Sequence, residues 1–171
     1  QSTIDRYPEL FLDAHRIGMN AKLGWSKTEP GDEELVQDLL TVLTEQKMDF
    51  TLSFRHLSDC ADNGNSEKIT DLLIIGPAFL NWIERWHARC RLDTATAAER
   101  QQTMYRANPV FIPRNHLVEA AIQGALEDAS FERFNELMEV LQEPFRYQPD
   151  LQRYAIPPLP EEKVQQTFCG A

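Results

Sequence analysis

The sequence predicts an all-α fold, and three observations carry that prediction. Nearly every segment repeats its apolar residues with a helical period. Helix start and stop signals fall between those segments, and no pair of alternating β-branched runs proposes a sheet. The expected architecture is an irregular multi-helix domain over residues 1–143, followed by a Pro-rich extended tail over 144–171 with a terminal cysteine, Cys169.

Taken in order, Leu10, Phe11, Ala14, Ile17, Gly18 and Ala21 form the first apolar stripe, expected in the core with Pro8 in the helix's first turn. "TEPGDEE" then supplies a breaker followed by acids that favour a helix N-terminus through its dipole. Leu35, Val36, Leu39, Leu40 and Leu43 make the next stripe, closing near Lys47, and Phe50, Phe54 and Leu57 fit a short third helix. "SDCADNGNSE" reads as a loop, and Ile69 to Ile75 as a short helix ended by Gly76-Pro77. Pro77 suits the first position of a helix carrying Phe79, Trp82, Ile83 and Trp86. "TATAAERQQTMYRAN" is helical by propensity. A rigid elbow, Asn108-Pro109 to Pro113, then meets a helix with Leu117, Val118, Ala121, Ile122, Ala125 and Leu126 along one face. Phe134, Leu137, Met138 and Leu141 form the last stripe before Pro144, and 144–171 holds five prolines with no sustained period. Leu117, Ile122, Phe134, Leu137, Leu141, Trp82 and Trp86 are expected in one buried cluster.

At 171 residues the chain is long enough to bury a real core, and no apolar run approaches the roughly 18 residues of a membrane span. A net charge of −10 argues against nucleic-acid binding by the whole chain. The charge is uneven: six arginines between 85 and 116 face only Asp93 and Glu99, whereas 127–171 holds nine acids against four bases. The arginine run is read either as a solvated face that meets the acidic one or a partner, or as an anion contact. Three cysteines without close spacing argue for a reducing compartment rather than a disulfide scaffold. The chain has no initiator Met and enters helical periodicity almost at once, as expected of a piece cut from a longer protein.

Motifs for chemistry are sparse. The seven glycines stand in no phosphate-cradling spacing, and neither G-x-S-x-G nor H-E-x-x-H occurs. His56/Cys60 and His87/Cys90 are spaced for two helix faces and compose a candidate Cys₂His₂ zinc set, against which stands the plainer reading of Cys90 as a core residue. Phe79, Trp82 and Trp86 read as core rather than a ligand-stacking box. His15 and His116 have no nucleophile or acid beside them in sequence. From the residues alone, no catalytic, cofactor-binding or metal-binding residue is assigned.

"NPVFIPRNHLVEAAIQGA" nevertheless resembles a hallmark of the selenoprotein O family, which includes the bacterial YdiU-type (SelO) proteins. There, Asn-Pro, a few apolar residues and Arg-Asn introduce an Ala-rich helix. "MNAKLGW", "DEELVQDLLTVLTEQKMDFTLSFRHLS", "FNELMEVLQEPF" and "FCGA" resemble further family segments in the same order. Pro113 departs by replacing an aliphatic residue, and "PPLPEE" replaces Pro-Pro, an acid and Trp. The resemblance implies that this chain is the C-terminal third of a pseudokinase-fold protein adenylyltransferase, which transfers AMP from ATP to hydroxyls of protein substrates with magnesium. It implies a kinase-like N-terminal lobe of the same parent as partner, while charge and the lack of an apolar span lead to the expectation of no nucleic acid and no membrane. The location implied is cytoplasmic in a bacterium, or mitochondrial in a eukaryote. The family's nucleotide and metal residues lie outside this stretch, so none is carried over, and the fragment is expected to be non-catalytic and to hold no cofactor itself. Cys169 becomes a redox candidate by the same resemblance. For the elbow of Asn108, Pro109, Pro113, Arg114 and Asn115 the reading is structural: prolines that stiffen it, Asn115 capping the next helix and Arg114 reaching a carboxylate. The alternative is an independent helical interaction module that recruits a partner through the Arg-rich stretch 85–116.

Overall fold

The computed structural model describes residues 3–61 and 76–164, the side chains of residues 3–5 aside. The expected short helix at 69–75 and the terminal "FCGA" with Cys169 lie outside the described residues. Among the described residues the fold is all-α, with no strand. Two compact units divide it between Asn108 and Pro109, inside the predicted elbow.

In the first unit, α1 (Thr3–Leu23), α2 (Asp32–Glu45), α3 (Phe50–Asp59), α4 (Pro77–Cys90) and α5 (Ala97–Ala107) surround one core. α2 packs on α4, and α5 packs on both α1 and α3. The ends of these helices follow local chemistry. α1 stops at Gly24 (φ 73°), whose N–H donates to the Ala21 carbonyl while Trp25 N–H donates to that of Asn20. These two bonds close a Schellman turn, which needs the left-handed conformation glycine adopts freely. Asp49 caps α3 by accepting from Leu52 N–H at 2.8 Å. Thr96 and Glu99 cap α5 reciprocally in a capping box. Pro77 opens α4 as the sequence predicts, and Phe79, Trp82, Ile83 and Trp86 are all within 1% of full burial. The two indoles also satisfy their polar ends, Trp82 Nε1 donating to the Leu35 carbonyl and Trp86 Nε1 to that of Leu23.

The second unit holds α6 (Asn115–Glu127), α7 (Glu132–Val140) and two 3₁₀ turns, Pro149–Tyr154 and Pro160–Glu162. Val110, Phe111, Leu137, Val140, Tyr154 and Ala155 make its core, with Leu117, Val118, Leu141 and Leu151 alongside. The segment after Pro144 is therefore anchored in part: the Pro144 carbonyl accepts from the N–H groups of Val110 and Phe111, and Tyr154 is buried.

Several sequence expectations need correction. α1 begins at Thr3, so Pro8 lies inside the helix, where it cannot donate to the carbonyl one turn back. The α1 stripe is not core: Leu10, Phe11 and Ile17 are 50%, 55% and 66% exposed, and the helix instead buries Met19 and Leu23. Periodicity detects an apolar face but not what covers it. The single predicted cluster is two clusters, and Ile122 and Phe134 are exposed because α6 and α7 bury Ala121, Leu137 and Val140 instead. α3 runs through Ser58 and Asp59, so Cys60 is its buried C-cap rather than a loop residue.

Candidate functional site

Three places stand out, the first two built on buried polar groups that need partners. The first is the end of α5. Asn108 is fully buried; its amide donates to the Lys22 carbonyl at 2.8 Å and to Ser58 Oγ at 3.1 Å, while its Oδ1 accepts from Lys22 Nζ. Arg55 donates to its carbonyl at 3.2 Å. One asparagine thus ties α1 and α3 to the end of α5. Burial lowers the Lys22 pKa, and its ammonium lies 5.2 Å from the Phe54 ring centre.

Beside it, Asp59 on α3 faces α5. Tyr105 donates to Asp59 Oδ1 at 2.7 Å, and the His56 ring nitrogen lies 3.4 Å from Oδ2. Arg55 stacks 4.2 Å over the Tyr105 ring. Burial pushes the Asp59 carboxyl up, but the bonds from His56 and Tyr105 outweigh it, so its pKa falls. Burial and the bond to Asp59 drive Tyr105 well above its usual range. A tyrosine so held remains a donor and cannot serve as a base near neutral pH. His56 therefore belongs to a helix-packing contact, and Cys60 lies in the first unit's hydrophobic core. Among the described residues, no three of His, Cys, Asp and Glu gather closely enough to hold a metal ion.

The second place is a buried ion network that the sequence reading missed. Arg89 on α4 reaches Asp32 at the start of α2, with Nε 2.5 Å from Oδ1 and a terminal nitrogen 3.0 Å from Oδ2. The same guanidinium donates to the Lys27 carbonyl at 2.8 Å, lies 3.6 Å from Asp93 and stacks 4.9 Å over Trp25. Burial opposes ionisation of Asp93, but hydrogen bonds from Ala95 and Ser26 and the charge of Arg89 hold it at about 2. Arg89 and Asp93 are four residues apart, a spacing that sequence can suggest, whereas Asp32 is 57 residues away and carries no local signal. Arg100 is likewise buried, donating to the carbonyls of Cys90 and Ala95, and Arg85 pairs with Asp38 at 2.5 Å. Arg85, Arg89 and Arg100 of the arginine run are therefore engaged inside the first unit.

The third is a mostly apolar groove of about 660 Å³ between α1 and the start of α2, lined by Phe11, Leu12, His15, Met19, Pro30 and Val36. In the second unit, Val110, Phe111 and Arg114 are buried and Ile112 is half-buried. The α6 cap is not Asn115, which is exposed and already helical; Arg114 holds the cap position, its carbonyl accepting from Leu117 and Val118 N–H. Pro113 is exposed at the elbow's end.

The family model described as Protein adenylyltransferase SelO matches residues 1–142. The chain belongs to the SelO family. Similar SelO relatives are the Protein nucleotidyltransferase YdiU of Bradyrhizobium diazoefficiens, 43% identical over 170 residues, and that of Nitrobacter winogradskyi, 46% identical over 170 residues. The YdiU protein of Rhodopseudomonas palustris is 43% identical over the same length. Each alignment covers 99% of this chain but only 34–35% of the relative, in its C-terminal part. The chain thus spans about a third of the length of the SelO relatives it matches. These relatives are bacterial, and among the described residues no helix is long and apolar enough to cross a membrane.

Proposed function

We propose that this chain is the C-terminal helical domain of a SelO-type protein adenylyltransferase, that it braces the catalytic region of the longer protein, and that it contributes no catalytic group. In this reading the longer protein transfers AMP from ATP, with magnesium, to hydroxyl side chains of protein substrates in the cytoplasm. A kinase-like lobe earlier in the same chain binds both ATP and metal. The observation that carries the reading is the alignment of nearly the whole chain with the C-terminal third of proteins named nucleotidyltransferases.

The geometry supports a bracing role. Asn108, Asp59, Arg89 and Arg100 spend their polar atoms joining helix to helix. Among the described residues no three of His, Cys, Asp and Glu gather, and the sequence carries no phosphate-cradling glycine loop. No step of the transfer is therefore assigned to them. An independent interaction module working through 85–116 has less support, because Arg85, Arg89 and Arg100 are already engaged.

The test is transfer of label from ATP marked on its α-phosphate to an acceptor protein, with magnesium. The longer protein should label the acceptor and the 171-residue chain should not. Labelling by the 171-residue chain alone would sink the reading.

A further inference from the structure

α1 is apolar on two opposite sides, and among the described residues only one of them is buried. With 3.6 residues per turn, successive side chains step by about 100° around the axis. Tyr7, Leu10, Phe11, Ala14, Ile17 and Gly18 share one stripe, centred about 160° around the helix from Met19 and Leu23, which enter the core. Tyr7, Phe11 and His15 stack on one another along it, ring centres 6.2 and 6.3 Å apart. Tyr7, Leu10, Phe11, Leu12 and Ile17 are each at least half exposed. Burial begins only at Met19, so the large apolar side chains of α1 from Tyr7 to Ile17 are left exposed among the described residues. A helix apolar on both sides belongs in an interior.

What covers it follows from where the relatives' additional length lies. This chain matches their C-terminal part, so about two thirds of each relative precedes the residue aligned with the start of α1. In the longer protein that region is joined directly to the start of α1. A second copy of this chain would need to meet the stripe by diffusion, whereas the preceding region is held there at high effective concentration.

We infer that the outer face of α1, with Tyr7, Leu10, Phe11 and Ile17 as anchors, is the seat on which the preceding catalytic region of the longer protein docks. Phe11, at the edge of this seat, also lines the apolar groove that opens between α1 and α2 on the Met19 side of the helix. The inference rests on the function proposed above and adds the surface through which bracing acts. α1 is then a shared helix, one side in the helical core and the other in the catalytic region.

The experiment uses the longer protein with a protease site placed immediately before residue 1, cleaved after folding and passed over a sizing column. The two pieces should remain together. Phe11→Glu with Ile17→Glu should weaken that association on the order of a hundredfold, as loss of central interface anchors does. Phe11→Met with Ile17→Leu should hold, and so should Leu126→Glu with Phe134→Glu, which charge two exposed apolar residues of the second unit. Circular dichroism of each cleaved pair checks that the helices survive. If the unsubstituted pieces separate, the bracing function fails and this inference with it. If they stay together and the Phe11/Ile17 glutamate variant does so equally well, the function stands and the seat is wrong. A freed 171-residue piece that dimerises through the same residues would also overturn the assignment.

Discussion

Removing Asp32 should strand a buried guanidinium. Asp32 and Arg89 are both almost fully buried, and two of their contacts are 2.5 and 3.0 Å long. Asp32 Oδ2 also accepts from Glu29 N–H at 2.7 Å, fixing the turn into α2. Breaking a buried pair by deleting one partner typically costs roughly 3–5 kcal/mol, because the other charge stays in the interior. Arg89 would keep the Lys27 carbonyl, Asp93 and the Trp25 face, so Asp32→Ala should fall at the lower end, about 3 kcal/mol. Asp32→Asn keeps an acceptor for Glu29 and should cost less. Arg89→Met placed on top of Asp32→Ala should cost less than the two singles combined, since the stranded charge leaves with it. Urea unfolding followed by tryptophan fluorescence reads the right unit, because Trp25, Trp82 and Trp86 all lie in the first one. A loss below about 1 kcal/mol for Asp32→Ala, or strictly additive costs, would refute the reasoning.

Four other outcomes follow from the same structure. Leu137→Ala should cost about 2–5 kcal/mol by circular dichroism melts whereas Phe134→Ala costs under about 1, and equal losses would put the α7 faces the wrong way round. Gly24→Ala should destabilise by more than about 1 kcal/mol, since its φ is 73° and an added Cβ would press on the side chains of Arg100 and Met104; a neutral result would mean the α1 stop relaxes. Asp93 is held at about 2 against an ordinary 3.8, so the stability it contributes is complete above about 4 and is lost as pH falls toward 2; in Asp93→Asn that part of the acid slope should vanish. Cys60 and Cys90 are both buried, and burial raises the Cys90 thiol, so neither should react with a thiol reagent in the folded protein, and rapid labelling of either would contradict the packing.

What the sequence disclosed depended on whether an element completes itself locally. α4 was legible because Gly76-Pro77 starts it and its Phe79–Trp86 stripe faces a core supplied by this chain. α5 was legible through propensity, and its cap, Thr96 with Glu99, lies within four residues. α1 was legible as a helix but not in its burial, since hydrophobic spacing does not say whether the covering partner is in the same chain. Cys60 was misplaced because "SDCADNG" has the composition of a loop while α3 runs on into it, held by the Tyr105 and Gln101 contacts to Asp59 and Ser58. The Arg89–Asp32 bond was invisible for a different reason: it joins α2 to α4, and nothing local marks one acid among the three that open α2 as the buried one. The family resemblance came from ordered short segments. Several of those segments prove to be helix ends and ties: Gly24 stops α1, Asp49 caps α3 and Asn108 joins three helices.

The central claim is that this chain is a brace that a separate catalytic region needs, and reconstitution tests it most directly. The longer protein truncated just before residue 1 should lose most of its AMP transfer to an acceptor protein, and adding the 171-residue chain in trans should restore it, while the chain alone transfers nothing. Full activity of the truncated protein, with no gain when the chain is added, would contradict the account.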